Sequence, residues 1–120
     1  MARILIVDDD ADIVDLVETM LTPEHQVIGV TDTTEALEQI RAGNVDLLVT
    51  DIRMPIQNGF MLIQQAKKIC PDLRVIVISA YYDETDEVAR QIVHQYAPIA
   101  LSKPLTRAMV TEAIAAAFPV

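Results

Sequence analysis

Residues 4–10 read Ile4-Leu5-Ile6-Val7-Asp8-Asp9-Asp10, an unbroken apolar run that ends in three carboxylates. Continuous apolar residues without polar alternation are the pattern of a strand covered on both faces. Further runs of the same kind stand at 27–30, 45–49, 75–78 and 99–101. Segments of helical period lie between them. Ile13, Leu16, Val17, Met20 and Leu21 follow the spacing of one helix face. Ala36, Leu37 and Ile40 repeat it, as do Val88, Ala89, Ile92, Val93 and Tyr96, and then Met109, Val110, Ala113, Ile114 and Ala117.

The punctuation agrees with this period. Asp32 followed by Glu35 resembles a capping box, Gly43-Asn44 suits a helix end, and Pro23 and Pro71 each follow one. A strand–helix unit repeated five times predicts an α/β fold, with a parallel sheet, right-handed crossovers and helices on both faces. The expected organisation is one domain over residues 1–120, without linker, repeat or low-complexity segment.

Composition narrows the function. A chain of 120 residues buries roughly 65–70% of its unfolded surface, enough for a core without disulfides. Cys70 is the only cysteine, and before Pro71 it reads as a small buried apolar residue. With 18 acidic against 9 basic side chains the net charge is −9, which argues against direct nucleic-acid binding. No apolar stretch approaches the ~20 residues of a membrane helix, so a cytoplasmic protein is expected. The glycines, Gly29, Gly43 and Gly59, are too scattered for a phosphate-binding glycine loop. His25 and His94 lack metal-ligand spacing and read as surface residues.

Ligands of open parallel sheets bind beyond the carboxyl ends of the strands. The first strand delivers Asp8, Asp9 and Asp10 there, the third Asp51, the fourth Ser79 and the fifth Lys103. Two carboxylates about 4 Å apart repel by roughly 4 kcal/mol at an effective dielectric near 20, so the cluster calls for a cation. Oxygen ligands without His or Cys favour Mg²⁺, with Mn²⁺ as the alternative. A carboxylate beside such an ion suits covalent acceptance of a phosphoryl group. Lys103 and the Ser79 hydroxyl suit its charged oxygens.

Taken in order, Ile4 to Asp10, Asp51-Ile52-Arg53-Met54-Pro55 with Asn58-Gly59, Ser79-Ala80 and Ser102-Lys103-Pro104 closely resemble the receiver domain of two-component response regulators. The resemblance spans the chain and implies a flavodoxin-like (βα)5 sheet of strand order 2-1-3-4-5. It implies Asp51 as phosphoacceptor, Asp8, Asp9 and Asp51 with the Arg53 backbone carbonyl as Mg²⁺ ligands, and Ser79 and Lys103 as switch hydroxyl and phosphate-binding lysine. It further implies a cis bond before Pro104, with Arg53 and Tyr81 at rate-tuning positions near Tyr82. Asp10 is expected to cap the first helix instead.

The implied partners are a sensor histidine kinase or phosphotransfer protein and a downstream protein or output domain. A homodimer through the fourth helix, fifth strand and fifth helix is a further possibility of the family. The domain would act only on its own phosphorylation and dephosphorylation. One departure stands out: the family's aromatic switch residue is replaced by Ala100, and Tyr96-Ala97-Pro98-Ile99 precedes it. That departure supports an alternative, a receiver-like interaction module that signals without phosphorylation. A haloacid-dehalogenase-like phosphatase is disfavoured, because Asp12 stands where that motif needs Thr or Val and the chain has no room for a cap.

Overall fold

The computed structural model describes residues 2–52, 59–79, 87–96 and 99–118. Strands and helices alternate along the chain: β1 (Arg3–Val7), α1 (Ala11–Leu21), β2 (Gln26–Val30), α2 (Thr33–Arg41), β3 (Leu47–Asp51), α3 (Gly59–Ile69), β4 (Arg74–Ser79), α4 (Glu87–Tyr96), β5 (Ile99–Ser102) and α5 (Arg107–Ala117). The strands form one parallel sheet in the order β2-β1-β3-β4-β5. This is the flavodoxin-like arrangement that the sequence led us to expect.

Two cores cover the sheet. Leu5, Val7, Leu48 and Val77 face α2 and α3, packing with Ala36, Ile40, Leu62, Ile63 and Ala66. Ile4, Ile6, Leu47, Val49, Ile76 and Ile78 face α1 and α5, packing with Val14, Val17, Val110, Ala113 and Ile114. Successive strand residues point to opposite faces, so two buried faces demand the continuous apolar runs of β1, β3 and β4. The edge strands behave differently. β2 is only partly buried along most of its length, and β5 alternates half-buried Ile99 and Leu101 with exposed Ala100 and Ser102.

Local signals account for most boundaries. Asp10 caps α1, its carboxylate accepting from Asp12 N at 2.9 Å, and Thr106 caps α5 through Met109 N at 3.2 Å. Asp32 caps α2, but it accepts from Thr34 N at 2.7 Å and so makes the shorter Asx turn in place of the expected bond toward Glu35. Gly43 ends that helix at φ +78°, with Gly43 N donating to Ile40 O.

The third strand starts two residues later than the apolar run 45–49 suggested and continues to Asp51. Asp46 is taken up elsewhere. Its carboxylate accepts from Arg3 N at 2.9 Å and from the Arg3 guanidinium, with an ion pair at 3.1 Å. At the other end Thr50 and Asp51 stay in the ladder opposite Val77 and Ile78 despite their polarity. His25 is a correction to the surface reading, because it is half-buried and its Nδ1 accepts from Ala2 N at 3.1 Å. His94 is exposed on α4, and Cys70 is half-buried against the α2–α3 core.

No heavy atom lies within 4 Å of a Cβ built on Gly43, so its requirement is one of backbone conformation alone. Gly43→Ala is expected to lower stability by about 1 kcal/mol, the cost of left-handed backbone for an L-residue. Gly43→Asn should cost less. Urea unfolding midpoints of the two variants check this order.

Candidate functional site

The strand order reverses direction between β1 and β3, and this is where a doubly wound sheet opens a crevice at its carboxyl edge. β1 runs out into Asp8 and Asp9, and β3 ends on Asp51 beside it. Ligand oxygens of these three carboxylates lie within 4.8 Å of one another. Ser79 ends β4, and Lys103 follows β5, its backbone N donating to Ser79 O at 3.1 Å. The Lys103–Pro104 bond is cis, as the motif implied; the Thr22–Pro23 bond is cis as well.

Burial divides the cluster. Asp8 is 0%, Ser79 1% and Asp51 5% exposed, while Asp9 stands open at the rim. Lys103 Nζ lies 2.9 Å from Asp51 Oδ2 in a hydrogen bond and 2.8 Å from Asp8 Oδ2 as an ion pair. The second approach is close in charge but lacks hydrogen-bond alignment. Asp8 Oδ2 therefore remains a buried oxygen without a hydrogen-bond donor, whereas Asp8 Oδ1 accepts from Asp10 N at 2.9 Å.

The electrostatics follow from this geometry. Burial alone would lower the Lys103 pKa, but its contacts with Asp8 and Asp51 outweigh it and hold the ammonium above its ordinary 10.5. The stabilisation from that pairing is complete below pH 10.5 and is lost as pH rises through the elevated folded value. Asp9 is raised above 3.8. Lost hydration at the cluster is the largest cause, even though much of the residue is exposed, and the Asp8 side chain and the Asp51 charge add to it.

Three carboxylates facing one ammonium leave negative charge in excess, and Asp8 Oδ2, which meets Lys103 by charge but has no hydrogen-bond donor, is a hard oxygen suited to a cation. The donor set is all oxygen. It fits Mg²⁺ or Mn²⁺, with Asp8, Asp9 and Asp51 as the residues that would hold the ion. The Arg53 carbonyl, Tyr81, Tyr82 and Pro98 lie outside the described residues, so the structure adds nothing on the rate-tuning positions. Ala100 is exposed on β5, paired with Val77.

Sequence reasoning did not foresee what supports Asp51 from below. Thr50 is fully buried and its Oγ1 donates to the Asp51 carbonyl oxygen at 2.9 Å. Gly59, at the first turn of α3, approaches the same carbonyl so closely that an added Cβ would lie 2.1 Å from it. The glycine eight residues after the acid was the available signal.

Fold and site together define a doubly wound α/β domain that gathers an acidic cluster and a lysine at the switch point of its sheet. Residues 4–115 match the model of the response regulator receiver domain. The chain is 36% identical over 90 residues to the response regulator SaeR of Staphylococcus aureus, covering 73% of this chain and 39% of that protein. It is 33% identical over 107 residues to a protein-glutamate methylesterase/protein-glutamine glutaminase of Methanospirillum hungatei, covering 87% of this chain and 31% of that one. The chain thus spans about a third of the length of these curated relatives. Among solved structures, a CheY-like receiver domain protein from Methanospirillum hungatei superimposes with a TM-score of 0.84 at 29% identity, covering 95% of this chain and 90% of that chain. A receiver domain protein from Clostridium thermocellum gives 0.84 at 27% identity, with 98% and 94% covered. The chain belongs to the response regulator receiver domain family of two-component signalling.

The elevated Asp9 pKa makes a signed prediction for the metal-free protein. A carboxylate whose folded pKa is raised disfavours folding once ionised, and the penalty vanishes below its unfolded value of about 3.8. Asp9→Asn should therefore raise the urea midpoint at pH 7 and leave it nearly unchanged near pH 3.5. Equal gains at both pH values would place the effect outside the carboxylate charge.

Proposed function

We propose that residues 1–120 form one phosphoacceptor receiver domain, which takes a phosphoryl group from a histidine kinase or phosphotransfer protein onto Asp51. The observation that carries this reading is the meeting of Asp51 with Asp8, Asp9 and Lys103 at one crevice. An Asp51 carboxylate oxygen attacks the phosphorus, the bond to the donor nitrogen breaks, and the donor imidazole leaves with that electron pair. Mg²⁺ held by Asp8, Asp9 and Asp51 would supply positive charge against the phosphoryl oxygens. Lys103 is already seated against Asp51 Oδ2 and adds a fixed ammonium beside the new acyl phosphate. Ser79, buried at the end of β4, would serve as the switch hydroxyl.

The modification replaces the single negative charge of the Asp51 carboxylate by an acyl phosphate of about −1.5 to −2, spread over three further oxygens, at a site whose lysine and serine sit at the ends of β5 and β4. Movement toward that charge would reshape the loops after these strands and alter the α4–β5–α5 face, where a downstream protein, an output domain or a second copy would bind. Ala100 has no ring to turn inward, so the change would travel through backbone. The reaction would be confined to the domain's own aspartate. Among the described residues no helix is long and apolar enough to cross a membrane, and the −9 charge disfavours nucleic acid as a direct partner; the cytoplasm is where a histidine kinase would supply the phosphoryl group.

Ala100 favours one second reading, a receiver fold that binds partners without phosphorylation. A single experiment separates the two. With acetyl phosphate and Mg²⁺ the native chain should gain about 80 Da, the mass of one covalent phosphoryl group, and Asp51→Asn should gain none. Lack of any adduct on the native chain would favour the interaction module, and an equal adduct on the variant would move the acceptor elsewhere. Ala100→Tyr should change partner affinity or dimerisation while leaving the initial phosphorylation rate within about threefold, since position 100 is remote from the reacting atoms.

A further inference from the structure

We propose that Thr50 and Gly59 form a clamp on the main-chain carbonyl of Asp51 and act as positioning residues for that side chain. The inference rests on the reading of Asp51 as acceptor and adds to it the part of the fold that aims the carboxylate.

Asp51 is the last residue of β3, where ladder bonds stop holding the chain on both sides. A side chain at such a point inherits any rotation of its own peptide unit. Two contacts meet on the Asp51 carbonyl oxygen. Thr50 Oγ1 donates to it at 2.9 Å, inside the core and shielded from water, because Thr50 is fully buried. A buried bond of this kind is costly to break, since the Thr50 hydroxyl would be left inside the core without it. Gly59 also lies close to this oxygen. A Cβ there would stand 2.1 Å from Asp51 O, 2.7 Å from Ile52 Cα and 3.0 Å from Asp51 C. All three are backbone atoms, which cannot swing aside as a side-chain tip would. Relief requires one of the two backbones to shift, the start of α3 or the peptide unit that carries the Asp51 side chain.

The choice of residues fits this role. Val in place of Thr50 would fill the same volume and suit the apolar core around Leu48, Ile52 and Val77, so core packing alone does not call for a hydroxyl. Among the described residues, the bond to the Asp51 carbonyl is what uses it. The clamp fixes the peptide plane, and with it the distances from the Asp51 carboxylate to Lys103, Asp8 and Asp9. Displacements of about 1 Å at a reacting group are enough to cost up to 100-fold in rate.

The test compares Thr50→Val, Thr50→Ser and the native chain, each confirmed folded by its melting profile. In Thr50→Val the carbonyl carbon resonance of Asp51 should move upfield as its hydrogen bond is lost. The phosphorylation rate constant at saturating acetyl phosphate should fall about tenfold, and the Mg²⁺ dissociation constant should rise at least threefold. Thr50→Ser should restore all three to within about twofold, which a packing role would not predict. Gly59→Ala should slow the reaction further, and Thr50→Val keeps the test decisive should that variant not fold. Native-like rate and Mg²⁺ affinity in folded Thr50→Val would overturn the clamp. A native chain inert to the donor would instead overturn Asp51 as acceptor, and the clamp would then be judged on the carbonyl shift and the Mg²⁺ titration.

Discussion

Asp8, Asp9 and Asp51 repel one another across less than 5 Å, and Lys103 is the ammonium that holds two of them in place. Much of the molecule is arranged around that tension. In water such charges would drift apart at little cost, because the dielectric screens them and their side chains are free to turn. Here two of the carboxylates are buried at the ends of central strands, each fixed by the ladder behind it. The sheet thus spends packing energy to assemble a site that is electrostatically uncomfortable when no further cation is present.

That discomfort is the property a receiver needs. A cluster that keeps an excess of negative charge and one orphaned oxygen at Asp8 is poised to gain from a divalent ion. Lost hydration at the cluster, with the neighbouring Asp8 and Asp51 adding to it, raises the Asp9 pKa. Lys103 bridges Asp51 and Asp8 from the end of β5, and its backbone N is tied to Ser79 O at the end of β4. The charge on Asp51 is thus in direct contact with the end of β5, which is bonded in turn to the end of β4. Site and sheet edge are in this sense one ion pair apart.

The edge strands and helix ends show how the fold tolerates variation away from the site. β5 carries exposed Ala100 and Ser102 where a central strand would be closed on both faces. At the amino-terminal ends of two interior strands Asp46 and Arg3 tie the entry of β3 to the start of β1, and the Arg3 side chain holds the Asp46 carboxyl below the usual carboxylate range. That pairing stabilises above pH 3.8 and fades as pH falls through the lowered value. Both charges are largely solvated, so this tie contributes modestly and mainly sets register.

The sequence by itself determined the (βα)5 pattern, because burial on both faces of a parallel sheet can only be met by unbroken apolar runs such as 4–7 and 75–78. It also determined which residues stand at the strand ends, and therefore that Asp8, Asp9, Asp51, Ser79 and Lys103 share one rim. Only the tertiary structure decided how they divide the work. Which Asp8 oxygen is taken by Asp10 N, which is left to Lys103, and which carboxylate stays solvated all depend on distances between segments far apart in the chain. The roles of Thr50 and Gly59 were hidden for the same reason. A threonine in an apolar run and a glycine before a helix have many ordinary explanations, and only the meeting of both on one carbonyl oxygen distinguishes them. The shift of β3 from 45–49 to Leu47–Asp51 belongs here too, since an apolar pattern records which residues prefer burial, whereas strand limits are set by the partner backbone across the ladder.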